Sequence, residues 1–176
     1  MAKISLGIIG GGQLGSMLAT AAKNLNINTV IISDDKDAPG QFFTDEFIFC
    51  NYNNDLKIRE FCSKVEFVTF EFENIPYTIL SKIDNIKKVN PRPLVNKIIQ
   101  NRLSEKDFLN KNNIKTTSYI SVKNESELKS SQDFIPGILK TSTLGYDGKG
   151  QYKIDNEEEL NNIKVNFENH YILEKL

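Results

Sequence analysis

The sequence predicts an α/β fold, with a parallel sheet flanked by helices first and a smaller α+β region after it. Three observations predict it. An apolar, β-branched run, Lys3–Ile9, ends in Gly10-Gly11-Gly12 and is followed by a helical pattern. Strand-like and helix-like segments then alternate over roughly the first 110 residues, as a parallel sheet of about four or five strands requires. After Lys115 the segments shorten and the alternation changes, which marks a second kind of architecture.

The elements follow in order. Lys3–Ile9 reads as a buried parallel strand. Leu14 to Leu25 reads as a helix, with Leu14, Met17, Leu18, Ala21, Ala22 and Leu25 expected on its core face. Thr29–Ser33 is a second buried strand, ended by Asp34-Asp35, and the three together make a right-handed βαβ crossover of Rossmann-like type. Asp45–Asn51 is a third strand, Asp55–Lys64 a helix, and Glu66–Phe70 a fourth strand running into Glu71-Phe72-Glu73-Asn74. A helix over Tyr77–Lys82, a short strand at Val89 and one long helix from Leu94 to Asn110 complete the first part. Beyond it come strands at Ser118–Val122, Gly137–Lys140 and Gln151–Ile154, helices at Glu125–Ser131 and Glu157–Ile163, and a last strand, Tyr171–Leu176. The boundary is placed near Asn112, giving domains 1–112 and 113–176. The chain stops inside an apolar strand, so it is expected to be a fragment, with that strand exposed and prone to self-association.

Composition narrows the function. Net charge is −1, from 22 basic and 23 acidic side chains, which removes the electrostatic case for nucleic acid or an anionic membrane as partner. Cys50 and Cys62 form no CxxC pair and His170 is the only histidine, so neither a structural zinc site nor a Ser–His triad is expected. Both cysteines read as buried, reduced thiols. No signal peptide or membrane span is recognisable, and the expected location is the cytoplasm.

Three segments carry chemistry. Gly10-x-Gly12-x-x-Gly15 follows a strand and opens a helix, where close backbone approach and free N–H groups favour an anion. The same motif with Asp34 or Asp35 about twenty residues on also fits an NAD-dependent dehydrogenase. It fits a tight turn without ligand as well. Glu71 and Glu73 end a predicted parallel strand, at the edge where open sheets bind ligands. As alternate residues of an extended segment they would point the same way, toward amino or hydroxyl groups of a substrate. Gly145-Tyr146-Asp147-Gly148-Lys149-Gly150 joins two strands and exposes backbone N–H groups. With Lys140 ending the preceding strand, it forms a phosphate-clamping arrangement. Its glycines predict that Leu144–Gly150 is poorly ordered without nucleotide.

These pieces, in this order, resemble the ATP-grasp enzymes, and among them the 5-(carboxyamino)imidazole ribonucleotide synthetase family. GGGQLG at Gly10–Gly15, EFENIP at Glu71–Pro76, QNRLSEKDFL at Gln100–Leu109 and GYDGKGQ at Gly145–Gln151 carry the resemblance, and the last is the most diagnostic. Ser16 stands where many relatives carry a basic residue, and Thr141-Ser142-Thr143-Leu144 replaces a more basic or glycine-containing approach to the loop. Formate-dependent glycinamide ribonucleotide transformylase shares the first glycine turn, but GYDGKGQ counts against it. A dehydrogenase leaves the second half unexplained.

The resemblance implies a Rossmann-like pre-ATP-grasp domain, then an ATP-grasp lid domain, with a third domain lying outside this chain. It implies ATP-dependent carboxylation of 5-aminoimidazole ribonucleotide by bicarbonate, with ATP and Mg2+ and a homodimer when complete. By motif match, Arg102, Lys140, Gly145, Tyr146, Asp147, Gly148, Lys149, Gly150, Gln151, Glu174, Lys175 and Leu176 would contact ATP. Gly12, Gln13, Leu14, Glu71 and Glu73 would face the ribonucleotide. Tyr146 and Asp147 would act in catalysis beside it. Metal ligands are expected in the third domain and none in this chain, so the 176 residues alone are expected not to hydrolyse ATP.

Overall fold

A computed structural model describes residues 4–144 and 150–176. The chain forms two compact units, Met1–Lys97 and Ile98–Leu176.

The first unit is a parallel four-stranded sheet: β1 (Ser5–Ile9), β2 (Asn28–Ser33), β3 (Glu46–Phe49) and β4 (Phe67–Phe70). Their order is β3-β2-β1-β4, so the chain winds outward from β1, then returns to its other side. Val89 adds one parallel bridge to Val68. Successive strand residues face opposite ways, and both faces are covered. Ile8 and Ile31 pack against helix α1 (Gln13–Asn24) through Ala19. Ile9, Val30 and Ile32 pack on the other face with α2 (Asp55–Ser63) and α3 (Tyr77–Asp84), through Ile58, Phe61, Leu80 and Ile83. Cys50 and Cys62 are free thiols buried on this side. Burial pushes both above the ordinary thiol range.

Helix α1 is where the sequence predicts a helix, but its core face differs. The buried residues are Gly15, Ser16, Ala19 and Ala22. Ala22 is buried and Leu18 packs on the Ile8–Ile31 cluster as expected, but Leu14, Met17 and Leu25 are exposed at 58%, 60% and 71%, so the inward face is rotated from the expected one. The reason is distance: a Cβ on Gly15 would lie 2.5 Å from the Gly10 carbonyl oxygen. The helix seats its smallest side chains against the glycine turn, and Leu14, Met17 and Leu25 rotate outward.

The expected long helix from Leu94 to Asn110 is two helices, α4 (Pro93–Ile99) and α5 (Arg102–Lys111). Asn101 is extended and caps α5, accepting from the Leu103 and Ser104 N–H groups at 3.0 Å each. The two compact units divide beside this break, between Lys97 and Ile98, ahead of the pattern change near Asn112. Helix α5 goes with the second unit because the Arg102 N–H donates to the Ser142 carbonyl at 2.8 Å.

The second unit is an antiparallel sheet of β5 (Tyr119–Val122), β6 (Gly137–Thr141), β7 (Gln151–Ile154) and β8 (Tyr171–Lys175), in the order β5-β8-β6-β7. One face packs on α6 (Glu125–Lys129) and α7 (Glu157–Asn162), through Val122, Leu128, Leu139, Ile154, Leu160, Tyr171 and Leu173. The last strand is therefore not exposed, as its sequence position suggests. It lies between β5 and β6, and Tyr171, Ile172 and Leu173 are buried. That removes the basis for self-association through it.

Candidate functional site

In the first unit, β1 and β4 are neighbours that the chain reaches from opposite directions, and a crevice at such carboxyl ends is where open α/β sheets hold ligands. Gly10 follows β1 with φ +102°, a conformation that disfavours other side chains. Gly12 is the N-cap of α1 and makes no side-chain cap. That role passes to Glu71 at the end of β4, whose half-buried carboxylate accepts the Gly12 backbone N–H. Burial pushes the Glu71 carboxyl above the usual range; the Gly12 bond acts against that shift and the Glu73 charge adds to it. The helix N-terminus thus already faces an anionic group of this chain. A ligand here meets a carboxylate acceptor as well as backbone donors.

Glu73 does not share this position. The backbone turns after Glu71, and Glu73 is exposed and accepts from the Asn74 amide at 3.4 Å, so the expected pair of parallel carboxylates is a half-buried one and an exposed one. Gln13 and Leu14 are exposed at the start of α1. Two supports of the turn were not legible as such in the sequence. Gly40, in a short 3-10 turn over Pro39–Phe42, donates its N–H to the Gly11 carbonyl at 2.8 Å. Asn96, fully buried in α4, donates to the Ile75 carbonyl at 2.9 Å just beyond the Glu71 segment.

In the second unit, the sheet face opposite the α6–α7 core carries the charges. Lys140 is paired across β6 and β7 with Gln151, and Glu174 stands diagonally across β8, opposite Ile138. Lys140 Nζ meets Glu174 Oε2 at 2.9 Å. Lys106, on α5, reaches the same oxygen at 3.5 Å. Arg102 donates from Nη1 to the Thr141 carbonyl at 2.7 Å, which ties the start of α5 to the strand leading into the glycine loop. The structure therefore gathers Arg102, Lys140, Gln151 and Glu174. It does not bring the Lys175 side chain with them, because strand alternation turns it to the other face, where it donates to the Asp133 carbonyl at 2.9 Å. Leu176 is exposed, and its N–H donates to the Pro136 carbonyl. Gly150 accepts the Thr141 N–H at 2.9 Å. Gly145, Tyr146, Asp147, Gly148 and Lys149 lie outside the described residues, and so does most of the segment expected to be poorly ordered.

Among the described residues no group of three His, Cys, Asp or Glu side chains could hold a metal ion, and no helix is long and apolar enough to cross a membrane.

Residues 1–100 match the family model described as the ribonucleotide synthetase preATP-grasp domain. The chain belongs to that family. Its second part, residues 107–176, matches the ATP-grasp domain model. Among curated relatives, the N5-carboxyaminoimidazole ribonucleotide synthase of Staphylococcus aureus is 34% identical over 89% of the chain. That of Brucella melitensis is 36% identical over 88%. The chain spans 42% and 43% of their respective lengths, less than half of either. The crystal structure of the Staphylococcus aureus N5-carboxyaminoimidazole synthetase complexed with ADP superposes with a TM-score of 0.86 at 31% identity, covering 99% of this chain and 48% of that one.

Proposed function

We propose that this chain is the N-terminal part of an ATP-dependent carboxylase that converts 5-aminoimidazole ribonucleotide and bicarbonate to 5-(carboxyamino)imidazole ribonucleotide in purine biosynthesis. The observation that carries the reading is the pairing of two domains in one chain. One is a ribonucleotide-synthetase glycine turn backed by Glu71. The other is an ATP-grasp sheet whose face opposite the α6–α7 core gathers Arg102, Lys140, Gln151 and Glu174. The names of the relatives and the ADP bound by the Staphylococcus structure agree with it.

The chemistry runs in two transfers. A bicarbonate oxygen attacks the γ-phosphorus of ATP, the bond to the bridging oxygen breaks, and carboxyphosphate and ADP form. The exocyclic amine of the ribonucleotide then attacks the carboxyl carbon, directly or after release of carbon dioxide. Phosphate leaves and the amine loses a proton. Such transfer depends on positioning and charge neutralisation. Here Lys140 and Arg102 supply positive charge to the phosphates, and the motif Gly145–Gln151 contributes further ATP contacts. Glu174 and the backbone of Lys175 and Leu176 begin the wall for the base. Gln13 and Leu14 bind the ribonucleotide by backbone donors and contact, and Gly12, whose N–H is held by Glu71, by close approach of its backbone. Glu71 accepts from its hydroxyl or amino groups, and Glu73 does so from the exposed side. Tyr146 and Asp147 contact both substrates.

The described residues do not assemble a Mg2+ site. The family resemblance also carries a cytoplasmic enzyme, homodimeric when complete.

Equilibrium titration of the native gene product with ATP, NAD, 5-aminoimidazole ribonucleotide and glycinamide ribonucleotide tests the reading. Binding of ATP and the aminoimidazole nucleotide, with neither NAD nor glycinamide ribonucleotide bound, is the expected pattern. Tight binding of NAD returns the first glycine turn to the dehydrogenase class, and preference for glycinamide ribonucleotide returns it to the transformylase.

A further inference from the structure

Glu174 receives two ammonium groups on a single oxygen. Lys140 Nζ lies 2.9 Å and Lys106 Nζ 3.5 Å from Oε2, and the three side chains are only 20%, 15% and 12% exposed for Lys140, Lys106 and Glu174. The motif match gives roles to Lys140 and Glu174. It gives none to Lys106, one helical turn after Arg102 on α5.

The geometry poses a charge problem. A carboxylate as enclosed as Glu174 is costly to leave unpaired. Lys140 cannot give its full charge to a phosphate while it remains the partner of Glu174. Were Glu174 left uncompensated as Lys140 turned away, it would repel the phosphate that Lys140 was to hold. The second ammonium resolves this. Lys106 is held in place by the Tyr119 ring, 5.4 Å from its Nζ, and the Tyr119 hydroxyl is fastened to α5 itself, donating to Asp107 at 2.6 Å and accepting from Asn110 at 3.1 Å.

We propose that Lys106 is a positioning residue of the nucleotide site, compensating Glu174 so that Lys140 can move its charge onto the phosphates of a nucleoside triphosphate. This rests on the reading of Lys140 as a phosphate ligand. Lys106 acts through Glu174 and does not touch the nucleotide, so its removal weakens ATP binding equally in the ground and transition states.

The test is steady-state kinetics on the native gene product as wild type, Lys106→Met, Lys106→Arg, Glu174→Gln and the double variant Lys106→Met/Glu174→Gln, with melting midpoints alongside. Lys106→Met is expected to raise KM for ATP about tenfold with kcat within about twofold, and Lys106→Arg to restore most of the loss. In the Glu174→Gln background, where no carboxylate needs compensating, Lys106→Met is expected to change KM less than about twofold. The same tenfold loss in both backgrounds overturns the proposal, because Lys106 would then act on the nucleotide or the fold without Glu174. An unchanged KM in Lys106→Met alone also overturns it. Wild type that neither binds nor turns over ATP overturns the nucleotide-site reading and this inference with it. Where Lys106→Met does not fold, Lys106→Gln in the two backgrounds makes the same comparison.

Discussion

Glu71, at the end of the fourth parallel strand, accepts a hydrogen bond from the backbone N–H of Gly12, the residue that caps the first helix. The helix start and the acidic strand end, read in the sequence as separate features, are one structure. Because burial raises the Glu71 carboxyl above its ordinary value, its charged form is disfavoured in the folded protein. The stability it contributes is fully present below the unfolded carboxyl range and is lost as pH rises through the raised folded value. Glu71→Gln removes that dependence. Urea melts of the two proteins between pH 4 and pH 7 should show the variant gaining stability on the wild type as pH rises. A difference that shrinks with pH would mean that the Gly12 bond outweighs burial.

The glycine turn allows no side chain where α1 crosses it. Gly15→Ala places a methyl group 2.5 Å from the Gly10 carbonyl, which is backbone and cannot step aside. The expected loss is about 2 kcal/mol, the usual cost of overpacking a close contact. Chemical denaturation measures it, and a loss below about 0.5 kcal/mol would show that the helix can slide.

The orientation of α1 has its own signature. Met17→Gln, on the exposed side, should change stability by less than about 0.5 kcal/mol. Ala19→Leu, on the fully buried side, should cost about 1–3 kcal/mol. The reverse ranking in a melting series would restore the face that hydrophobic periodicity suggests.

That face shows where sequence reading stopped. Strands β1 and β2 were legible because they are buried on both sides and read as unbroken apolar runs. The facing of α1 was not, because its contact is with backbone, and close approach selects Gly15, Ser16 and Ala19 over larger apolar residues. The break before α5 was hidden because Asn101 is compatible with a helix interior and shows its role only by accepting from Leu103 and Ser104. In the second unit the motifs named Lys140 and Glu174 singly. Their ion pair, and the addition of Lys106, arise from strand register and the position of α5, which no local pattern records.

The cap on α5 can be tested directly. Asn101→Ala removes two hydrogen bonds at the start of the helix that carries Arg102 and Lys106, and should cost about 1 kcal/mol. Thermal melting checks the loss, and Asn101→Asp should recover most of it. Equal losses in both variants would show that the cap is dispensable.

The Lys140 side chain separates binding from stability. Lys140→Ala should weaken ATP use by about 1–3 kcal/mol, the range for a lost charge-assisted hydrogen bond. Stability should fall by only about 1 kcal/mol, because Lys106 keeps Glu174 paired. Kinetics over a range of ATP concentrations, with a melt of the same samples, gives both numbers. A large stability loss with unchanged ATP kinetics would make the pair structural.

The central claim is that the glycine turn with Glu71 and the charged face with Lys140 serve one ATP-dependent carboxylation. The most direct measurement is phosphate release from ATP by the native gene product, with 13C-bicarbonate and 5-aminoimidazole ribonucleotide added separately and together. Fast release is expected only when both are present, with one phosphate formed for each labelled carboxyl group recovered on the exocyclic nitrogen. Release unaffected by the aminoimidazole nucleotide, or release with no label on that nitrogen, would contradict it.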